Sequence, residues 1–383
     1  MLTSALQAAE PYIPASDSEL IEILEPTVIA LARTARLNEI HRRPQLLSEN
    51  DKLQYIRKIL DSYNLAVREE SSRAYGYTQA LLENWPGNLE QPPLLRIIHA
   101  ALLQRSHDFD EAKAELEIAL AIDPDNHQAL LMLAQIDLVM GNYAGARRSC
   151  QQLIQQPFMV LALNCQAQLD SLSGNAEIAL DAVTSALELE ALSRPDALEL
   201  HTTAATIAHR TGLDREAELH YLQALEIAAE NTYLLVNYAD WLLEHGRPAD
   251  AANLLSPFTT REERFELKVI YLLALKRAYH DVVSTSLDTL LNDQIKRMQL
   301  RQDDSPHKVL ARYALDIEGD AVSALEHAAR NWEQQKEPGD ALLLVRAASQ
   351  ADSTEHLQKI RSWLLDTKLQ DVRIGNLIGE NNR

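Results

Sequence analysis

Apolar residues along the chain recur at intervals of three and four, the spacing that gathers them on one face of a helix. The two most apolar windows, 129–140 and 233–243, keep that period and are interrupted by Asp137 and Asp240. They read as buried helices, and neither reaches the ~18 apolar residues that a membrane-spanning helix requires. Alternating runs of Val, Ile, Thr and aromatics, the signature of a sheet, are missing. The pattern predicts an all-α chain of short helices joined by turns.

These helices repeat. A first column of small residues runs Ala100, Ala134, Ala167, Ala205 and Ala239, and a second runs Ala112, Ala146, Ala179, Ala217 and Ala251. Both columns step by 34, 33, 38 and 34 positions. Between them falls a turn: His107-Asp108-Phe109, then Gly141-Asn142, Gly174-Asn175, Gly212-Leu213 and Gly246-Arg247. Glycine at such places stops a helix, and Pro124, Pro157 and Pro195 are expected between units, where a helix must end. Alanine is expected where two helix backbones approach most closely, since a larger side chain there would overpack the contact. One helix pair cannot bury its own apolar face, so successive pairs must stack.

Five units in register resemble the tetratricopeptide repeat family, whose units have 34 residues, small residues at these places and a Pro near the end. The resemblance implies a right-handed superhelical solenoid of antiparallel helix pairs. It is specific over 93–257. The skeleton continues with substitutions over 258–368, where Ile270 and Val282 stand at alanine positions and Gly319-Asp320-Ala321, Ala324 and Ala347-Ala348 mark two more degenerate units. Residues 369–383 read as a cap or tail. Before the regular array, 17–92 reads as N-terminal helices and a divergent repeat. Asp17-Ser18-Glu19 caps a first helix, a second covers 27–41, and 51–68 with 72–85 make a further pair. Residues 1–16 read as a lead-in, a remnant of a trimmed export signal with small residues at Ala8 and Ala9 but no charged start. The stretches 74–80 and 331–338 also look like a group of exported bacterial repeat proteins, which supports a periplasmic or secreted location, with the cytoplasm as the alternative.

Composition narrows the function classes. The chain carries 36 basic and 56 acidic side chains, a formal net charge of −20. That excess repels phosphate backbones and anionic lipid, so neither nucleic acid nor membrane insertion is expected. No phosphate-cradling Gly-Lys-Ser/Thr loop, dinucleotide fingerprint, nucleophile elbow or metalloprotease helix occurs. His201 and His209 lie eight apart with no third ligand, so no metal and no cofactor is expected.

Two cysteines remain. Cys150 lies seven residues before Pro157 and Cys165 eight after it. If Pro157 marks a turn between antiparallel helices, the two stand at nearly the same height and a disulfide becomes possible. An oxidising compartment favours the bond, whereas in the cytosol they read as two small buried apolar groups.

The family resemblance places the first helix of each unit on the concave side. Transferred position by position, that face carries Gln135, Asn164, Gln168, Thr202, Thr206, His209, Arg210, Tyr233 and Asp240 as an open, polar, partner-binding groove. Amides and hydroxyls on one face can pair with the backbone of an extended peptide. The expectation is therefore a non-catalytic scaffold for a protein or peptide partner. The alternatives are an accessory subunit of a cytosolic complex and an enzyme with an unrecognised site in the C-terminal third.

Overall fold

A computed structural model describes residues 49–86, 90–154, 159–189, 192–259, 264–279, 285–301 and 306–379. The expectations for 1–48, Pro157 and Val282 lie outside these residues. The described residues over 58–85 and from 90 onward form one compact unit, to which 49–57 and 86 do not belong. The repeat array lies within this unit.

Among the described residues there are 19 α-helices and no strand. Helices α1 (Glu49–Glu69) and α2 (Ser72–Glu83) precede the regular array. The regular array is made of α3 (Pro93–Arg105) with α4 (Phe109–Ile122), α5 (His127–Val139) with α6 (Tyr143–Ile154), and α7 (Met159–Ser171) with α8 (Ala176–Leu187). It continues with α9 (Arg194–Thr211) and α10 (Asp214–Ile227), then α11 (Thr232–Glu244) and α12 (Pro248–Leu255). The C-terminal third adds α13 (Phe265–Tyr279), α14 (Thr285–Arg301), α15 (His307–Tyr313) and α16 (Ala321–Gln334). It ends with α17 (Pro338–Gln350), α18 (Thr354–Thr367) and α19 (Val372–Ile378). Together they form a solenoid of antiparallel helix pairs.

The turn column has one physical cause. At the end of the first helix of a pair, an amide reaches back five residues to a carbonyl, the bond that closes a Schellman turn. It joins Asp108 to Leu103, Asn142 to Asp137, Asn175 to Asp170, Leu213 to Ala208, Arg247 to Leu242 and Ser353 to Ala348, at 2.7–3.0 Å. The residue before each donor has a positive φ: Gly141, Gly174, Gly212 and Gly246 between 69° and 87°, with His107 at 64° and Asp352 at 53° in the same place. The unit at 307–334 departs from the rule. Its first helix widens into a π turn over Ala314–Glu318, and Asp320 N–H bonds Ala314 O, six residues back, at 2.9 Å. Second-helix starts are less uniform. First helices often carry an Asx or Ser cap: Asn126, Ser193 and Asn231 accept from the amides of Ala129, Asp196 and Leu234. Pro195, expected between units, sits in the first turn of α9, where its missing N–H has no partner to lose.

All ten column alanines are buried, none more than 3% exposed, and Ile270 is buried where a sixth would stand. The largest apolar cluster runs from Ala167 to Ala274, and a second, from Ala311 to Ile378, fills the C-terminal stack. Between α6 and α7 the structure joins Cys150 and Cys165, with Cα atoms 5.6 Å apart, inside the range a disulfide bridges.

Two helix pairs share an unusual contact. His201 on α9 faces His220 on α10 with Nδ1 atoms 3.0 Å apart, and His307 on α15 faces His327 on α16 at 2.9 Å. One neutral imidazole must donate and the other accept. Burial, with His220 alongside, lowers the His201 pKa to about 4, and burial also lowers His220 and His327. A folded-state pKa below the unfolded value of 6.5 means the unfolded chain binds the proton more readily. The stabilisation is therefore complete above about pH 6.5 and is lost as pH falls toward 4. Melting temperatures across that window are expected to fall more steeply for the native chain than for His201→Gln with His327→Gln; equal slopes would count against the assignment.

Candidate functional site

The first helices of successive pairs, α3, α5, α7, α9 and α11, turn one face inward. α13, α15 and α17 continue the same wall until it comes round opposite its own beginning. The result is a central cavity of about 1170 Å³. Its N-terminal wall carries amides and hydroxyls: Gln104, Gln135, Gln168, Thr202, Thr206 and Asn237. In α3, α5 and α7 only the last turns reach it, whereas α9 lines it from Leu198 to Arg210. At 18 residues, α9 is five longer than α5, α7 or α11, which accounts for the 38-residue step in the columns.

Eight of the nine residues expected on this face line the cavity: Gln135, Gln168, Thr202, Thr206, His209, Arg210, Tyr233 and Asp240. Asn164 does not. One turn before Gln168 its helix is already covered by neighbours, and Asn164 is buried there, with an Oδ1 that finds no hydrogen-bond partner. The expected Asn164–Gln168 pair is thus split, and the Gln168 amide donates to Thr203 Oγ1 at 3.3 Å instead. Several of the eight are also engaged within the chain. Thr202 donates to Leu198 O, and Thr206 to Thr203 O. Asp240 receives two bonds from Arg312, at 2.8 and 2.5 Å.

The opposite wall was not visible in the repeat pattern. It is charged, and its charges are mostly matched. Lys308 Nζ lies 3.1 Å from Asp340 Oδ1 and 3.6 Å from Glu337 Oε2. Burial alone would lower the Lys308 ammonium, but Asp340 and Glu337 outweigh it and raise the pKa. Burial raises Glu337 in spite of Lys308. Arg346 pairs with Asp316, and Arg373 forks onto Asp371 at 2.9 and 2.7 Å while lying 3.5 Å from Glu244. A sequence signal for this wall did exist: Arg312 interrupts an otherwise apolar run, and it is nearly buried with its neighbours Val309, Leu310, Ala311 and Tyr313.

An aromatic ladder runs through α10 and α11 behind the cavity, and both its ends, Tyr221 and His245, line it. Tyr221, fully buried, places its hydroxyl 3.0 Å from His209 Nδ1, and His209 Nε2 lies 2.8 Å from Glu244 Oε2. Burial raises the Tyr221 pKa well above its ordinary value, so the phenol stays protonated, and with Glu244 accepting at Nε2 a neutral imidazole leaves Nδ1 to accept from it. The imidazole then holds its own proton on Nε2, facing the carboxylate. Beyond Tyr221 the rings of Tyr238, Trp241 and His245 follow at centroid spacings of 5.5, 5.9 and 4.1 Å.

Residues 370–372, from the stretch read as a C-terminal cap or tail, touch α8 and α9 and the turn between α9 and α10 in the middle of the array. Arg210 donates to Gln370 O at 3.3 Å, Gln370 Oε1 accepts from Ala176 N–H at 3.2 Å, and Val372 packs on Gly212. The loop between α16 and α17 closes on the first units: Lys336 N–H bonds Val139 O at 2.7 Å, and Gln335 bonds His107. An open groove was expected, but the chain's own C-terminal third supplies its far side.

Residues 103–158 match the Tetratricopeptide repeat family. No curated sequence is significantly similar to the chain. Among solved structures it is similar to PilW, a widely conserved type IV pilus biogenesis factor, at 16% identity over 71% of this chain and 100% of that one, with a TM-score of 0.36. A tetratricopeptide repeat protein from Parabacteroides merdae is 18% identical over 63% and 99%, with a TM-score of 0.36. Yeast Tom70 is 12% identical over 85% and 88%, at 0.28. At these identities and scores the likenesses bear on neither partner nor location. Residues 103–158 match the family, and the same helix pairs, alanine columns and turn bonds continue beyond them, so the described residues form a tetratricopeptide-like helical solenoid.

Proposed function

We propose that the protein is a non-catalytic scaffold that holds a segment of a polypeptide partner in the central cavity. The observation that carries this reading is the row of uncharged amides and hydroxyls, Gln104, Gln135, Gln168, Thr202, Thr206 and Asn237, contributed by successive first helices. Such groups match the alternating donors and acceptors of an extended main chain. At about 1170 Å³ the cavity exceeds the ~300–1,000 Å³ usual for small-molecule sites and has room for several residues. The facing charges are largely spent on one another, so the partner segment is expected to be polar and near neutral. Placement in the periplasm or outside the cell accords with the buried Cys150–Cys165 pair.

A photo-crosslinking amino acid in place of Thr206, incorporated in the native host, is expected to capture a polypeptide. The same group in place of Ile178, which is exposed away from the cavity, is expected not to. Thr206→Arg, which fills the space, should weaken binding of the captured partner at least about tenfold, about 1.4 kcal/mol. Capture from Ile178 alone, or undiminished affinity in Thr206→Arg, would overturn the reading.

A further inference from the structure

The cavity is completed by a seam where the C-terminal third meets the earlier units, and polar contacts predominate in it. The two main apolar clusters, one over 167–274 and one over 311–378, share no buried core member, and of the C-terminal third only Ile317 packs against the first. What crosses is mostly polar, apart from Val372 on Gly212 and the stems of Lys336 and Lys368 on Gly141 and Gly174. Lys336 N–H meets Val139 O, Lys336 Nζ lies 3.4 Å from Met140 O, Gln370 joins Ala176 and Arg210, and Arg373 faces Glu244. Water can replace each of these at small net cost, and polar interfaces within a chain are the ones that move.

The seam is nonetheless fitted. A Cβ at Gly174 would lie 2.9 Å from Lys368 Cβ and 3.3 Å from Lys368 O, and one at Gly141 would lie 3.0 Å from Lys336 Cδ and 3.4 Å from its Cβ. Gly246 and Gly319 share the left-handed backbone, yet nothing lies within 4 Å of a Cβ built on either. The turn alone requires only a positive φ. At Gly141 and Gly174 the absent side chain also makes room for the returning chain.

We propose that this seam is a clasp that opens in the folded protein, so that a polypeptide is laid sideways into the cavity rather than threaded through it. The purpose rests on the reading of the cavity as a polypeptide site; the opening itself does not. An apolar seam would open only when the cores on both sides unfold. A polar one, fitted by glycine and bridged by side-chain and single main-chain bonds, can part while both cores stay intact.

Amide hydrogen exchange on the full chain tests the opening without any partner. The reporters are Lys336 N–H, bonded to Val139 O, and Ala176 N–H, bonded only to the Gln370 side chain. Both are expected to exchange at least about 100-fold faster than core amides such as Leu169 and Leu344, and with little dependence on denaturant. Gly141→Cys with Lys336→Cys sets two Cβ atoms near the ~3.5–4.5 Å that a disulfide spans. In the oxidised double variant, Ala176 exchange should slow toward the core rate. Gly141→Cys alone carries the backbone strain without the bond and Lys336→Cys alone removes the lysine, and neither should slow it. Seam amides that exchange at the core rate with the same denaturant dependence would overturn the clasp, as would an Ala176 rate unchanged by the lock. Because no partner takes part, this failure is separate from failure of the Thr206 crosslink.

Discussion

Tyr221→Ala is expected to lower stability by about 3–5 kcal/mol, the range for removing a large buried aromatic ring, and to loosen the cavity wall with it. The ring is fully buried in the largest apolar cluster, stands edge-on to His209 at 6.0 Å and lies 5.5 Å from the Tyr238 ring. Its loss leaves a void between α10 and α11 that two helices packed through small alanines cannot collapse to fill. The hydroxyl contributes separately. Tyr221→Phe keeps the ring but leaves His209 Nδ1 without its donor, and is expected to cost about 1 kcal/mol. Chemical denaturation of the two variants separates packing from hydrogen bonding. Equal losses would mean that the hydroxyl, and not the ring, holds this wall; a loss below about 1 kcal/mol in Tyr221→Ala would show that the core repacks.

The second large effect is expected at the cysteines. Replacing Cys150 and Cys165 together by alanine should remove about 3 kcal/mol, the value for closing a loop of this length. Both side chains are buried, 0% and 2% exposed, and the pair ties α6 to α7 across a separation of 15 residues. Alanine at both sites leaves little void, so the loss reads mainly the covalent tie. Thiol titration of the denatured protein is expected to find no free thiol before reduction and two after it. Two free thiols at the outset would return the pair to the description of small buried apolar groups and favour the cytosolic accessory-subunit reading.

The parts of this molecule that were legible in its sequence are those set by local, periodic rules. Ala205 and Ala217 had to be small because two backbones meet there, and Gly212 had to adopt a positive φ because a six-residue turn bond closes over it. The same periodicity put Thr202, Thr206 and His209 on one face of α9. Asn164 was misplaced because helical spacing fixes the face of a residue but not how far along the helix the neighbours cover it. The far wall obeyed no period at all. Arg312 meets Asp240 across 72 positions, and Arg210 meets Gln370 across 160. Pairs so distant arise from the pitch of the superhelix, a sum of small rotations that no single unit encodes.

The seam between first and last units changes what kind of polymer this is. In an open repeat array each unit feels only its neighbours, so total stability is a sum along a line and the ends peel first. Here Lys336 is held by Val139, and Gln370 by Ala176 and Arg210. With the clasp shut, the last units cannot fray without breaking contacts to the early ones, and melting becomes a property of the whole rather than of its weakest end. With the clasp open, the same chain reverts to a line. Occupancy of the seam therefore sets the cooperativity of the array, and a partner that holds it shut would make all its helices melt as one.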